Sequence, residues 1–222
     1  MLVGHFAAGF AGKAVDSRAP LWSYLSASQT LDLAWAPLII AGVEVARVDA
    51  DLPGSPIHLD YMPFTHSLPA AVLWTALVIG LARLFKLPWR PSIVLGAVVF
   101  SHWILDLIVH RPDLDLWFGG PRVGLGMWDI PVPAATLEIG LLGAAVIVWA
   151  VFRSRMGMST RSAVGIFTLL IGIQLLSQLA TPPENVKLLA ATTLTLNLIV
   201  LAVGWWIDRP KARATAEQGT TG

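Results

Sequence analysis

Apolar residues along this chain come in long unbroken runs separated by short polar stretches. They do not alternate, as in a half-buried strand, or form the single stripe of a surface helix. A helix needs about 20 apolar residues to cross a bilayer, and about six runs reach that length, at roughly 20–44, 66–86, 91–110, 133–152, 162–181 and 186–208. Backbone groups in hydrocarbon must be satisfied within their own segment, so each run predicts a helix. The expected fold is all-α, a polytopic integral membrane helical bundle. The opening stretch, MLVGHFAAGFAGKAV, is apolar but too short to span and lacks the basic start of a signal peptide. It predicts a short N-terminal re-entrant or interfacial helix. Asp16 to Pro20 reads as a turn, with Pro20 able to open the next helix. Residues 1–208 then form a single integral membrane domain, and residues 209–222, polar and small, a disordered cytoplasmic tail.

Charge orients the bundle. Only 13% of the 222 residues are charged, against about 25% in a soluble domain, and the mean hydropathy is +0.68. Lys13 and Arg18 precede the first run. Arg83, Lys86 and Arg90 lie between the second and third, Arg153, Arg155 and Arg161 between the fourth and fifth, and Arg209, Lys211 and Arg213 after the sixth. In the first alternate loop Glu44, Asp49, Asp51 and Asp60 outweigh Arg47. The positive-inside rule places both termini in the cytoplasm and the acidic loops outside. Trp89, Trp117, Trp128, Trp205 and Trp206 sit near run ends, where interfacial aromatic anchors belong. A net charge of +1 says nothing about partners, no nucleic-acid partner is expected, and with zero cysteines any metal must be held by His and carboxylate.

The third run carries the chemistry. Asp106 lies four residues after His102 and four before His110, so on a helix the three share one stripe. Ionisable groups at membrane depth cost about 2.5–3.5 kcal/mol each on insertion scales, which makes a functional site the default reading. His with Asp is ligand chemistry for zinc and similar divalent ions. Asp32 lies inside the first run, with Ser28 and Gln29 one turn earlier as candidate hydrogen-bond partners. His66 sits in Thr65-His66-Ser67-Leu68-Pro69, a helix start with a hydroxyl cap and an early proline. His5 lies in the opening segment and Glu138 inside the fourth run. At about 1.5 Å per helical residue, counting from the basic ends puts His5 about 12 Å deep, Asp32 and His102 about 17 Å, Asp106 about 23 Å and His66 about 26 Å. In a layer of about 30 Å they can meet in its outer half.

Other readings stand beside this one. The cluster can be a proton relay or an internal ion pair. His110 is a ligand or marks the span end, and Glu138 is a site member or the partner of another polar group. His58, Asp60, Asp113 and Asp115 read as solvated loop residues. The glycine-rich stretch 119–126 has no Lys-Ser/Thr and follows no strand, so it is not a P-loop, and it offers Arg122 to an anionic head group. Gln174, Ser177 and Gln178 form a polar stripe that glues helices together. No internal repeat is visible.

In their order and spacing, His5, Asp32, Thr65-His66-Ser67 and Ser-His-Trp-Ile-Leu-Asp at 101–106 resemble the YdjM-like family of bacterial inner-membrane proteins, described as LexA-regulated or membrane-bound metal-dependent hydrolases. The resemblance covers about residues 1–130. The same His, Asp, His, His-x3-Asp order is similar to that of zinc-dependent phospholipase C and the nucleases allied to it. Carried over, it implies Asp32, His66, His102 and Asp106 as ligands of one metal, with His5 helping to bind a second across a bridging Asp106. His110 can supply a further histidine, whereas Glu138 is preceded at the matching spacing by Ala134, which departs from the pattern and leaves one or two metals.

The expected function is a metal-dependent hydrolase of the bacterial inner membrane acting on a membrane lipid or lipid-linked ester. Asp32 or Asp106 would be the catalytic carboxylate, and Arg111 or Arg122 would stand at an outward-open mouth to meet a phosphate. The rival is a non-enzymatic metal or proton permease, or an adaptor with a structural site. A permease would need a polar path to the cytoplasmic face, and the stretches 74–81 and 93–100 are almost wholly apolar.

Overall fold

The computed structural model describes residues 1–209, and the predicted tail lies almost wholly outside them. The opening segment folds as α1 (Phe6–Val15), a helix of ten residues, about 15 Å long. It is not laid on a surface: Phe6, Ala7, Gly9, Phe10, Gly12 and even Lys13 are buried. Small residues explain how it fits. A Cβ at Gly9 would lie 2.9 Å from the Tyr24 carbonyl, and one at Gly12 would lie 2.8 Å from Val98 Cγ2. Both contacts are too close for any side chain. Lys13 meets Asp208 at 2.9 Å and the Ala19 carbonyl at 2.9 Å, so its charge is paired where its stem is buried.

The first predicted span is broken. α2 (Leu21–Ser28) and α3 (Thr30–Ala41) are separated by Gln29, whose backbone leaves the helical region at φ −111°, ψ 10°. Gly42, at φ 74°, then ends α3 in the left-handed conformation that glycine adopts without strain. An antiparallel hairpin follows, β1 (Val45–Val48) with β2 (Ile57–Tyr61). α4 (Leu68–Leu84) starts as the sequence predicts: the Ser67 hydroxyl accepts from the Ala70 amide, with Pro69 in the first turn. α5 (Trp89–Val109) runs antiparallel to α4 and ends at His110. A second small hairpin, β3 (Leu114–Asp115) with β4 (Arg122–Val123), and a 3-10 turn at Met127–Asp129 lead to α6 (Pro131–Arg155), α7 (Arg161–Leu179) and α8 (Val186–Asp208).

Four of these helices, α5 to α8, are long and apolar enough to cross a membrane. The expected six are therefore not all present as continuous spans. At 17 residues α4 is about 26 Å long, just under the hydrocarbon thickness. The first span is divided because a carbonyl at its break is used elsewhere, as described below.

The core is arranged around α1. Phe10 packs against Trp149 of α6, with Leu21 and Leu25 of α2, Leu142, Leu170 of α7 and Val200 of α8. A second cluster joins Tyr24 and Leu31 to Ala71 of α4 and to Leu95, Val99 and Trp103 of α5. The two hairpins cross-brace at the end of the bundle where α5 stops. The Leu59 amide donates to Asp113, and the Arg122 guanidinium reaches the Leu59 and Asp60 carbonyls.

Candidate metal centre

Six side chains from four segments meet near the hairpins: the start of α1, α3, the entry to α4, and α5 with its C-terminal His110. Asp106, one turn before the end of α5, is the hub. Its Oδ2 lies 3.2 Å from His102 Nε2 and 3.7 Å from His66 Nε2. Its Oδ1 lies 3.0 Å from His5 Nε2 and 3.7 Å from His110 Nε2. Asp32, in the first turn of α3, adds Oδ1 at 3.5 Å from His66 Nε2 and 3.6 Å from His102 Nε2. The two sets His5, Asp32, His102 and His66, His102, Asp106 each place one ligand atom per residue within 4.8 Å of the others. Zinc bonds of about 2.0–2.2 Å to N and O require crowding of this kind. The rings of His5 and His102 stack at 3.6 Å between centroids, so α1 and α5 are in register at the site.

All six residues expected as ligands are brought together. His5 faces Asp106 because α1 is buried against α2, α5 and α6 rather than lying on a membrane surface.

Three of the imidazoles are held from behind. His102 Nδ1 lies 2.8 Å from the Ser28 carbonyl, the last of α2. This is the physical reason for the break at Gln29: the chain leaves the helix where His102 draws on its backbone. Irregular backbone at such depth is tolerated when it is buried in protein. His66 Nδ1 meets Thr65 Oγ1 at 2.8 Å, and His110 Nδ1 meets Asp113 Oδ1 at 2.9 Å. In each case Nδ1 faces an outer partner and Nε2 faces the cluster. Metal-binding histidines are oriented in this way, by an outer acceptor that fixes tautomer and ring. The His66 backbone is fixed as well, by the Trp103 indole donating to its carbonyl at 3.0 Å.

The residues fit a metal on one further observation. His102 Nε2 and Asp106 Oδ2 are buried and neither makes a hydrogen bond, although they face each other. Buried polar atoms are paired in the great majority of cases, and two orphans converging with His66 and Asp32 form a donor set for a cation. Asp106 Oδ1, by contrast, is engaged: the Met1 amino group donates to it at 3.0 Å and lies 3.0 Å from His5 Nε2.

Several residues stand elsewhere than expected. Ser28 serves through its carbonyl and serves His102, not Asp32, while its hydroxyl donates to Leu25. Asp113 and Asp115 are buried rather than solvated, because Asp113 bridges His110 to the Leu59 amide and Asp115 pairs with Arg122. Arg111 donates to the Pro53 and Ser55 carbonyls and pairs with Asp129 at 2.7 Å. Arg111 and Arg122 thus tie the hairpins together instead of standing free at a mouth. Glu138 is buried, and its Oε1 accepts the Val3 and Gly4 amides at 2.9 and 3.1 Å. Gln174 donates to its Oε2 at 3.0 Å, so Glu138 anchors the entry to α1 and with it His5. Glu44 and Thr65 were not among the expected site residues. The only local signal is a hydroxyl next to His66.

Comparison of the chain with protein-family models, with curated proteins and with solved structures gives no match. The functional reading therefore rests on the site.

Proposed function

We propose that this protein is a metal-dependent hydrolase embedded in the bacterial inner membrane, with both termini cytoplasmic, acting on a lipid or lipid-linked (phospho)ester in the outer half of the bilayer. The observation that carries the metal is the pair of orphaned atoms, His102 Nε2 and Asp106 Oδ2, facing His66 and Asp32. The resemblance of the His5, Asp32, His66 and His102-x3-Asp106 order to YdjM-like proteins and to zinc-dependent phospholipase C agrees with it. Zinc is the ion this donor set suits best. One ion would be held by Asp32, His66, His102 and Asp106. His5 and His110 are the further donors a second ion would use.

A divalent metal bound there supplies Lewis-acid chemistry, bringing the pKa of water toward about 7 and polarising a phosphoryl or acyl oxygen. The chain's own residues divide the remaining work. Asp106, with a side chain 2% exposed, orients His102 and His66. Asp32, at 16%, is the most open side chain of the cluster, which supports an approach of substrate from its side. As water attacks the ester, Asp32 is placed to take up the proton, and the products are an acid and an alcohol. An approach from the Asp32 side of the cluster would favour a substrate already in the bilayer.

The test is hydrolysis of a fluorogenic phospholipid by detergent-purified protein, stripped of metal and then titrated with zinc. Activity should return with zinc and should be lost in Asp32→Asn at unchanged folding. No turnover of phospholipid or lipid-linked ester at any metal level counts against a hydrolase. The 3.2 Å approach of His102 to Asp106 also suits a proton relay, and a protein that takes up no metal favours that second reading.

A further inference from the structure

Glu44 follows α3 and is buried, yet among the described residues it forms no ion pair. Its Oε1 accepts the Phe64 and Thr65 amides at 2.9 Å each, and its Oε2 accepts the Thr65 hydroxyl at 2.7 Å. A carboxylate has no hydrogen to give, so the single proton of the Thr65 hydroxyl is committed to Glu44. Thr65 Oγ1 also lies 2.8 Å from His66 Nδ1, and with its proton committed this oxygen can only accept. Nδ1 must then carry the hydrogen. In a neutral imidazole that leaves the lone pair on Nε2, the nitrogen that faces Asp32 and Asp106 at 3.5 and 3.7 Å.

We propose that Glu44 is a positioning residue that sets the tautomer of His66 through Thr65, so that Nε2 is presented to the cluster as a ligand. The inference rests on the metal reading above for its purpose, but not for its test. Hydrogen-bond polarity explains why an acid is buried here rather than an amide. In Glu44→Gln the side-chain oxygen can still accept the two amides, while the new NH2 points at Thr65 Oγ1. The hydroxyl hydrogen is then released toward His66 Nδ1, and the ring hydrogen moves to Nε2, where it points into the cluster. The substitution keeps the shape and inverts the chain of donors.

The experiment is long-range 1H–15N correlation of the full chain in detergent, with 15N-histidine and chelator-stripped of metal. It is run at pH about 8, above the ordinary imidazole pKa. His66 is assigned by its loss in His66→Asn. The expected result is the Nδ1–H tautomer in the wild type and in Thr65→Ser, and loss of that preference in Glu44→Gln and Thr65→Val. Zinc affinity should fall about 10–100-fold in the latter two and return in Thr65→Ser. An Nε2–H tautomer in the wild type, or the same tautomer in wild type and Glu44→Gln, overturns the proposal. A tautomer switch in a protein that takes up no zinc supports the relay and defeats the metal reading alone.

Discussion

Replacing Asp106 with Asn preserves the outline of the hub and removes its charge. In the structure that carboxylate faces His102 at 3.2 Å and His66 at 3.7 Å through Oδ2, and His5 and the Met1 amine at 3.0 Å through Oδ1. Two effects follow, and they can be read apart. Structural zinc sites bind with about 10–16 kcal/mol, so one of four ligands at the low end carries about 2.5 kcal/mol. At about 1.4 kcal/mol per decade this is roughly a 60-fold loss of affinity. Competition against a chromophoric chelator, in detergent, measures it. The second effect appears in metal-free protein. Removing one partner of a buried ionic group costs about 3–5 kcal/mol, because the amine and imidazoles are left facing each other. The thermal midpoint of the stripped Asp106→Asn protein should therefore fall as well. A zinc affinity within about threefold of the wild type, far short of the decade per 1.4 kcal/mol, with an unchanged midpoint, would refute the assignment of Asp106 as hub.

Two further outcomes test other links. Gly12→Leu should push α1 away from Tyr24 and Val98, since even a Cβ would lie 2.8 Å from Val98 Cγ2. Overpacking costs about 1–3 kcal/mol, and displaced α1 carries His5 with it, so a melting curve and a zinc titration should both shift. At the opposite end of the bundle, hydrogen bonding from Arg18 holds the Asp16 carboxyl below its ordinary value. A lowered folded pKa gives stability that is present above the unfolded value of about 4 and is lost as pH falls through the folded one. Arg18→Gln should flatten that part of the acid limb in melts recorded from pH about 5 downward, and an identical acid limb in both proteins would remove the pairing as a source of stability.

Much of this architecture could be read from residue order. Runs of apolar residues demand helices because hydrocarbon offers a backbone no other partner, and the ten-residue α1 is too short to be anything but a half-helix. The spacing of His102, Asp106 and His110 on one helix face, and the cost of placing charge at that depth, point to a polar centre from residue order alone. So do Asp32, His66 and His5, each an ionisable residue in an apolar setting. The Ser67 cap and the proline after it marked the start of α4 from local chemistry alone.

What the order of residues could not decide depends on which segments touch. The break at Gln29 has no glycine or proline to announce it; it exists because a histidine 73 positions further along takes the neighbouring carbonyl. Asp113 and Asp115 looked like solvated acids in a loop, and Glu44 like one charge of an outer loop, yet all three are buried, since burial is a property of the fold and not of a residue type. Arg111 and Arg122 were read as free cations for a substrate, and the hairpins instead use them as cross-braces. Glu138 meets the opening segment from a helix more than 130 residues away in sequence, and Gln174 holds Glu138 in turn, which no local pattern encodes. The residue types of the cluster were thus determined by the order of residues along single segments. Their outer partners were decided only when packing brought distant hydrogen-bond donors and acceptors within 3 Å or so of one another.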